Sequence, residues 1–268
     1  MKKSMANLDT VLVTCIYEIV MKAHIKKIIS IANHKGGVGK TTSVSSLGVA
    51  LSKLGKRVLL VDLDAQGNLT DIFTQERGER TIYESLRDMR GLPIIHIGEG
   101  LDLCPSSMDL VSMDLELGGV EEREYRLQKL LKMVDYDYIL LDCPPSLGLL
   151  TINALSASDE VFIPLTAEAL PSKGLGNLLH IIQQTQEYLN GGLSLGGIII
   201  TRYNRRKINR LVEESLRESF GELVFKTKIR ENVDIMESPL YGKDIYSYSP
   251  ESIGAKDYLS LAEEILNR

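Results

Sequence analysis

The chain has 268 residues, 44% of them apolar and 25% charged, a balance that buries one sizeable core and excludes a disordered or fibrous chain. Thirty-one Lys and Arg against 36 Asp and Glu leave a formal net charge of −5, so any affinity for nucleic acid has to come from a local basic patch. Cys15, Cys104 and Cys143 lie far apart with no C-x-x-C pair, which argues against a disulfide framework or structural zinc and fits a reducing cytoplasm.

At the N-terminus, residues 11–21 are mostly apolar and follow Lys2 and Lys3, but Glu18 interrupts them. They are too few to span a bilayer, which takes about 20 apolar residues. No small-residue cleavage site follows, so export is rejected. Residues 1–24 are read as an extension outside the fold, with a short packed helix as the alternative, and residues 25–268 as a single domain, since no linker or repeat divides them. Apolar runs at 27–32, 58–61, 94–97, 138–141, 161–164, 197–201 and 223–226 predict strands. Helical periodicity predicts helices over 41–54, 122–133, 172–189, 207–220 and 255–266. Near-continuous apolar strands imply a sheet covered on both faces: a doubly wound, mostly parallel α/β fold that takes ligands at the strands' carboxyl ends.

The first strand runs into Lys35-Gly36-Gly37-Val38-Gly39-Lys40-Thr41-Thr42, and a helix follows directly. Glycines let a backbone turn its N–H groups around an anion, and a helix N-terminus adds partial positive charge. Lys40 then reaches the β and γ phosphates of a nucleotide, and the Thr41 hydroxyl is a Mg²⁺ ligand. The general pattern G-x-x-x-x-G-K-(S/T) is broken because His34 stands where its first glycine belongs, and a second lysine, Lys35, enters the loop. Two strands end in carboxylates, one in Asp62-Leu63-Asp64-Ala65-Gln66-Gly67-Asn68 and one in Asp142-Cys143-Pro144-Pro145-Ser146. Carboxylates there sit beside bound phosphates and metal.

The loop resembles the deviant Walker A loop of the ParA/MinD group of P-loop ATPases, and the two acidic segments resemble its ParA/Soj branch. The likeness runs from about Lys26 to the C-terminus, with Ala65 replacing the proline most common there. It implies an ATPase of slow intrinsic turnover that uses ATP and Mg²⁺ and closes into an ATP-sandwich homodimer. In that dimer Lys35 crosses to the partner's phosphates, as an arginine finger does in trans. It further implies that Asp142 holds Mg²⁺ through water, that Asp64 orients the attacking water beside the metal, and that Arg202, Arg230 and Asn232 lie at the adenine. Asp62 is read as supporting its loop. The family acts in plasmid or chromosome segregation with a ParB-like adaptor, as a cytoplasmic, nucleoid-associated protein.

Residues 202–210 carry Arg202, Arg205, Arg206, Lys207 and Arg210 with no acidic residue. A charge run is as often a plain solvated face, but the resemblance implies non-specific DNA binding through a basic C-terminal surface. Arg205, Arg206, Lys207, Arg210 and Lys228 are the candidates, and for Arg202 and Arg230 adenine contact and DNA contact stay open as alternatives. Glu231 and Asp234 stand where relatives often carry arginines. Cys143 beside Asp142 is read as a buried structural thiol. The alternative function is a MinD-like positioning ATPase at a membrane or on another cargo. It is disfavoured because the last helix carries Glu263 and Glu264 rather than a basic amphipathic face. A biosynthetic or signalling enzyme on the same fold is a third class.

Overall fold

A computed structural model describes residues 26–167 and 173–268; the readings made for residues 1–24 and Ser172 lie outside these. Seven strands form one sheet in the order β3-β4-β2-β5-β1-β6-β7. They are β1 (Lys27–Ile31), β2 (Val58–Asp62), β3 (Ile95–Gly98), β4 (Leu101–Cys104), β5 (Tyr138–Asp142), β6 (Glu160–Thr166) and β7 (Ser194–Thr201). Every neighbouring pair is parallel except β3 with β4. The longer helices are α1 (Lys40–Lys53), α2 (Asn68–Phe73), α3 (Ile82–Asp88), α4 (Met113–Glu116), α5 (Arg126–Leu131), α6 (Leu149–Ala157), α7 (Lys173–Tyr188), α8 (Lys207–Phe220), α9 (Val233–Glu237), α10 (Ile245–Tyr248) and α11 (Ile253–Leu266), with short 3₁₀ turns between some of them.

The strand period of two sorts the core into two layers. Leu59, Val61, Ile139 and Leu141 face one layer, which α5 to α8 cover, while Val58, Leu60 and Leu140 face the other, beneath α1 and α11. The doubly wound, mostly parallel expectation is thus met. The central strands β1, β2 and β5 run parallel and in register, so their carboxyl ends fall together beneath the loop that follows β1.

Three local expectations differ from the structure. β4 was not expected, because Leu-Asp-Leu-Cys is four residues with a charge at its centre. It pairs parallel to β2 and antiparallel to β3, so the expected strand at 94–97 is an edge strand of reversed direction. The expected strand at 223–226 reduces to one bridge between Val224 and Ile198. The Glu264 carboxylate takes the next two amides, from Lys226 and Thr227, at 2.8 and 2.9 Å, so no ladder continues. The helix expected over 122–133 begins late, because Glu122 sits in the left-handed region at φ 54° and a 3₁₀ turn follows before α5.

At the β7 edge the Phe225 ring packs against Gly197, where a Cβ would come within 2.3 Å of Cε2. Phe225 also meets Phe162 edge to face at 5.1 Å, so the ring has little room to retreat. Gly197→Ala is therefore expected to cost about 1–3 kcal/mol through overpacking. Thermal unfolding checks this: the midpoint should fall by several degrees, and an unchanged or higher midpoint would contradict the packing described.

Candidate functional site: a phosphate loop over buried carboxylates

The loop between β1 and α1 adopts the conformation its glycines permit. Gly37 and Gly39 have φ of +70° and +93°, values that strain any residue with a Cβ. α1 starts after Gly39 with no side-chain cap, leaving its first amides available to an anion. Two residues not singled out from the sequence, Asn33 and Thr201, hold the loop together with His34. Asn33 accepts from the Lys35 amide at 2.9 Å and donates to the Pro164 carbonyl at 2.7 Å. The Thr201 hydroxyl reaches the Val38 carbonyl at 2.9 Å. His34, which takes the place of the motif's first glycine, pairs with the Pro145 carbonyl at 3.0 Å, joining the phosphate loop to the turn after β5. A polar residue at a strand's carboxyl end, as at Asn33 and Thr201, is the only trace such anchors leave in a sequence.

Gly36, Gly37, Val38, Gly39, Lys40, Thr41 and Thr42 line one wall of a cleft of about 770 Å³, and Asp64 faces it. Arg202, Arg230 and Asn232 line the same cleft with Ile229, Met236 and Pro239. All the residues expected to contact nucleotide, apart from Lys35 and Asp142, therefore border one cavity. Asp142 lies beneath the floor and is almost wholly shielded. Lys35 is exposed, and among the described residues its ammonium has no hydrogen-bonded partner.

The electrostatics beneath the loop are unusual. Asp62 and Asp142 are partners in the β2–β5 register, side by side at the strand ends. Burial pushes the Asp62 carboxyl up to about 6, against the pull of hydrogen bonds from Thr70 and the Asp64 amide. Burial, and then the charge of Asp62, raises Asp142 well above the ordinary carboxylate range. The Thr41 hydroxyl and the Lys40 ammonium favour its charged form, yet neither carboxylate oxygen has a hydrogen bond of normal geometry among the described residues. A buried carboxylate with both oxygens unmet, under a threonine hydroxyl and a lysine, is a donor set that suits a hydrated Mg²⁺. Among the described residues no cluster of His, Cys, Asp and Glu forms a separate metal site. Burial pushes the Cys143 thiol up to about 12, which leaves it an inert core group.

Arg202, Arg230 and Asn232 divide the labour. Arg202 holds the left-handed region at φ 50°, turning the chain away from β7. Arg230 is tied to Asp257 of α11 by contacts of 2.5 to 3.1 Å. Asn232 caps α9 by accepting from the Ile235 amide at 3.2 Å. Tyr203 and Arg230 form a bridge, with the Tyr203 amide donating to Ile229 and the Glu231 amide to Tyr203. The basic turn that follows is thereby tied to the cleft wall. Arg205, Arg206, Lys207 and Arg210 are exposed and form no ion pair among the described residues. Lys228 differs: it binds both oxygens of Glu213 at 2.9 and 3.0 Å and lies over the Tyr203 ring. Its charge is spent within the protein.

The AAA domain family matches residues 26–195. The sporulation initiation inhibitor protein Soj of Bacillus subtilis is 44% identical over 247 residues, covering 89% of this chain and 98% of that protein. The chromosome partitioning protein ParA of Caulobacter vibrioides is 38% identical, covering 92% and 97%. The chain belongs to the ParA/Soj family. Among solved structures, a cobyrinic acid a,c-diamide synthase from Mycobacterium smegmatis, with ADP and magnesium bound, superposes with a TM-score of 0.79 at 34% identity, covering 90% of this chain and 94% of that one. ParA/Soj membership agrees with the loop, the two acidic segments and the sheet order described above.

The raised carboxyl values have a sign that can be checked. Asp62 and Asp142 hold protons more tightly folded than unfolded, so in nucleotide-free protein they weaken stability as pH climbs from about 4 through the folded values. Asp142→Asn removes the shared charge. Its stability relative to the wild type is expected to improve steadily from pH 4 to 7, while the extra thermal shift that Mg²⁺ adds to ATP is lost. A gap that stays constant with pH would contradict the charge sharing.

Proposed function

We propose that this chain is an ATP-hydrolysing partition protein whose ATP-bound form is a sandwich dimer that binds DNA without sequence preference and is stimulated by a ParB-like adaptor. The observation that carries the reading is the pairing of Lys40, buried against the cleft, with Lys35, exposed and outside the lining of its own cleft. A loop cation outside the lining of its own cleft supports a role in completing a neighbour's.

ATP is the substrate and Mg²⁺ the cofactor. Asp142 and Thr41 would hold the ion, with Asp64 beside it, and it would supply charge neutralisation at the β and γ phosphate oxygens. The loop amides from Gly36 to Thr42 bind the phosphates, and Lys40 balances charge that shifts during transfer. Asp64 orients the attacking water. Lys35 of a second copy adds a further cation to the same centre, and closure of the two copies excludes bulk water. Among the described residues no strong general base faces the cleft, which accords with slow intrinsic turnover and a role for an activating partner.

Closure sets two basic turns on one assembly. Arg205, Arg206, Lys207 and Arg210 supply the polyanion contact; Lys228, paired with Glu213, has little to add. Three of these cations crowd the start of α8, where the helix dipole already repels positive charge. An anion relieves that conflict. Hydrolysis removes the γ-phosphate, the copies separate and DNA is released.

Two measurements test the reading. Lys35→Ala should keep ATP affinity but lose nucleotide-dependent self-association in sedimentation with a non-hydrolysable analogue; normal association would sink the sandwich. Arg205→Glu/Arg206→Glu should weaken duplex binding in the presence of ATP by roughly tenfold or more and flatten its salt dependence. Identical affinity and slope would remove the DNA surface from the proposal, and ATP-dependent sedimentation with lipid vesicles would favour the MinD-like alternative.

A further inference from the structure

Asp64 carries its carboxylate on a loop that has already left the sheet, beyond the last ladder contact from the Leu63 amide to Asp142. A group that orients water has to be held to within about half an ångström, yet among the described residues the carboxylate's own hydrogen bond is a local one, from the Gln66 amide at 3.0 Å. Its orientation is therefore set by its backbone. The Asp64 N–H donates to Asp62 Oδ1 at 3.1 Å. The other oxygen of Asp62 accepts from the Thr70 hydroxyl at 2.7 Å and the Thr70 amide at 2.9 Å. Having given its proton to the carboxylate, the Thr70 hydroxyl accepts from the Ser106 amide at 3.1 Å. The Ser106 hydroxyl then donates to the Asp64 carbonyl. These contacts close a ring that begins and ends on the backbone of Asp64, and Asp62, Thr70 and Ser106 are all fully shielded from solvent.

We propose that Thr70 and Ser106 are positioning residues for hydrolysis, acting through this ring to fix the Asp64 carboxylate; the proposal rests on the reading of Asp64 as the residue that orients water. The direction of every bond in the ring is determined, because a carboxylate only accepts and a threonine hydroxyl has one proton to give. Ser106 arrives from the turn after β4, 42 residues further along the chain. Its hydroxyl is not required to satisfy the Asp64 carbonyl, which also accepts from the Gly67 amide at 2.9 Å. What the hydroxyl adds is a second direction of restraint. Arg77 backs the ring from outside, donating to the Ser106 carbonyl at 3.1 Å and to Asp71 at 2.5 Å while its guanidinium lies against Gly67. The segment that bears Asp64 is thus clamped to the β4 turn on one side and to α2 on the other.

The experiment uses the full chain. Ser106→Ala is expected to lower the single-turnover rate of ATP hydrolysis by about tenfold while a fluorescent ATP analogue binds within about twofold of wild-type affinity. Hydrogen exchange of the amides from 63 to 68 in nucleotide-free protein should quicken. On an Asp64→Ala background the same substitution should change the rate no further. Thr70→Ser, which keeps the hydroxyl, should hydrolyse as the wild type does, whereas the isosteric Thr70→Val should behave as Ser106→Ala; this pair decides the matter should the Ser106 variant fail to fold. A Ser106→Ala rate within about twofold of wild type, or an equal loss with and without Asp64, overturns the proposal. If Asp64→Ala itself hydrolyses normally, the proposal falls together with the reading of Asp64, a result distinct from failure of the ring alone.

Discussion

Two carboxylates buried side by side at the ends of adjacent parallel strands are the constraint around which this protein is built. In a medium that solvates charge poorly, Asp62 and Asp142 each penalise the ionisation of the other. The chain answers the two differently. Asp62 is supplied with donors from Thr70 and Asp64 and becomes a structural group; Asp142, beneath Thr41 and Lys40, has no hydrogen bond of normal geometry to either oxygen among the described residues. The first holds its loop, and the second is the carboxylate we propose as a ligand of the metal. Asymmetry of environment, not of residue type, separates the roles.

The sheet supplies that asymmetry cheaply. Because β1, β2 and β5 run parallel and in register, their last residues fall together without any loop having to bring them there. The phosphate loop then needs only glycine's conformational freedom and a few side-chain anchors to close over the floor. Asn33 fastens the loop to β6, Thr201 fastens it from β7 and His34 ties it to the turn after β5, so the cleft's geometry draws on most of the sheet.

Much of this was legible in the sequence, and what was not has identifiable causes. The central strands were readable as unbroken apolar runs, and the phosphate loop, Asp64 and Asp142 stood out because their chemistry is tied to fixed spacing beside those runs. β4 escaped because its charge, Asp102, interrupts a run of only four residues. The strand expected at 223–226 was lost to a competitor for its amides, Glu264, some forty residues away in sequence. Lys228 looked like any exposed cation until folding placed Glu213 against it. Ser106 and Thr70 carry no motif: their part in the site depends on a turn from one strand meeting a helix from another, and only the folded chain shows that meeting.

The bridge between Tyr203 and Arg230 has a thermodynamic consequence. The basic turn and the wall of the nucleotide cleft share backbone hydrogen bonds, so a ligand that stiffens one restrains the other. Linkage requires reciprocity: whatever factor a bound nucleotide contributes to the affinity of the turn for a polyanion, the polyanion returns to the affinity for nucleotide. A strand of phosphates held at Arg205 and Arg206 would then change the affinity for triphosphate, by that same factor, in a cleft it never touches.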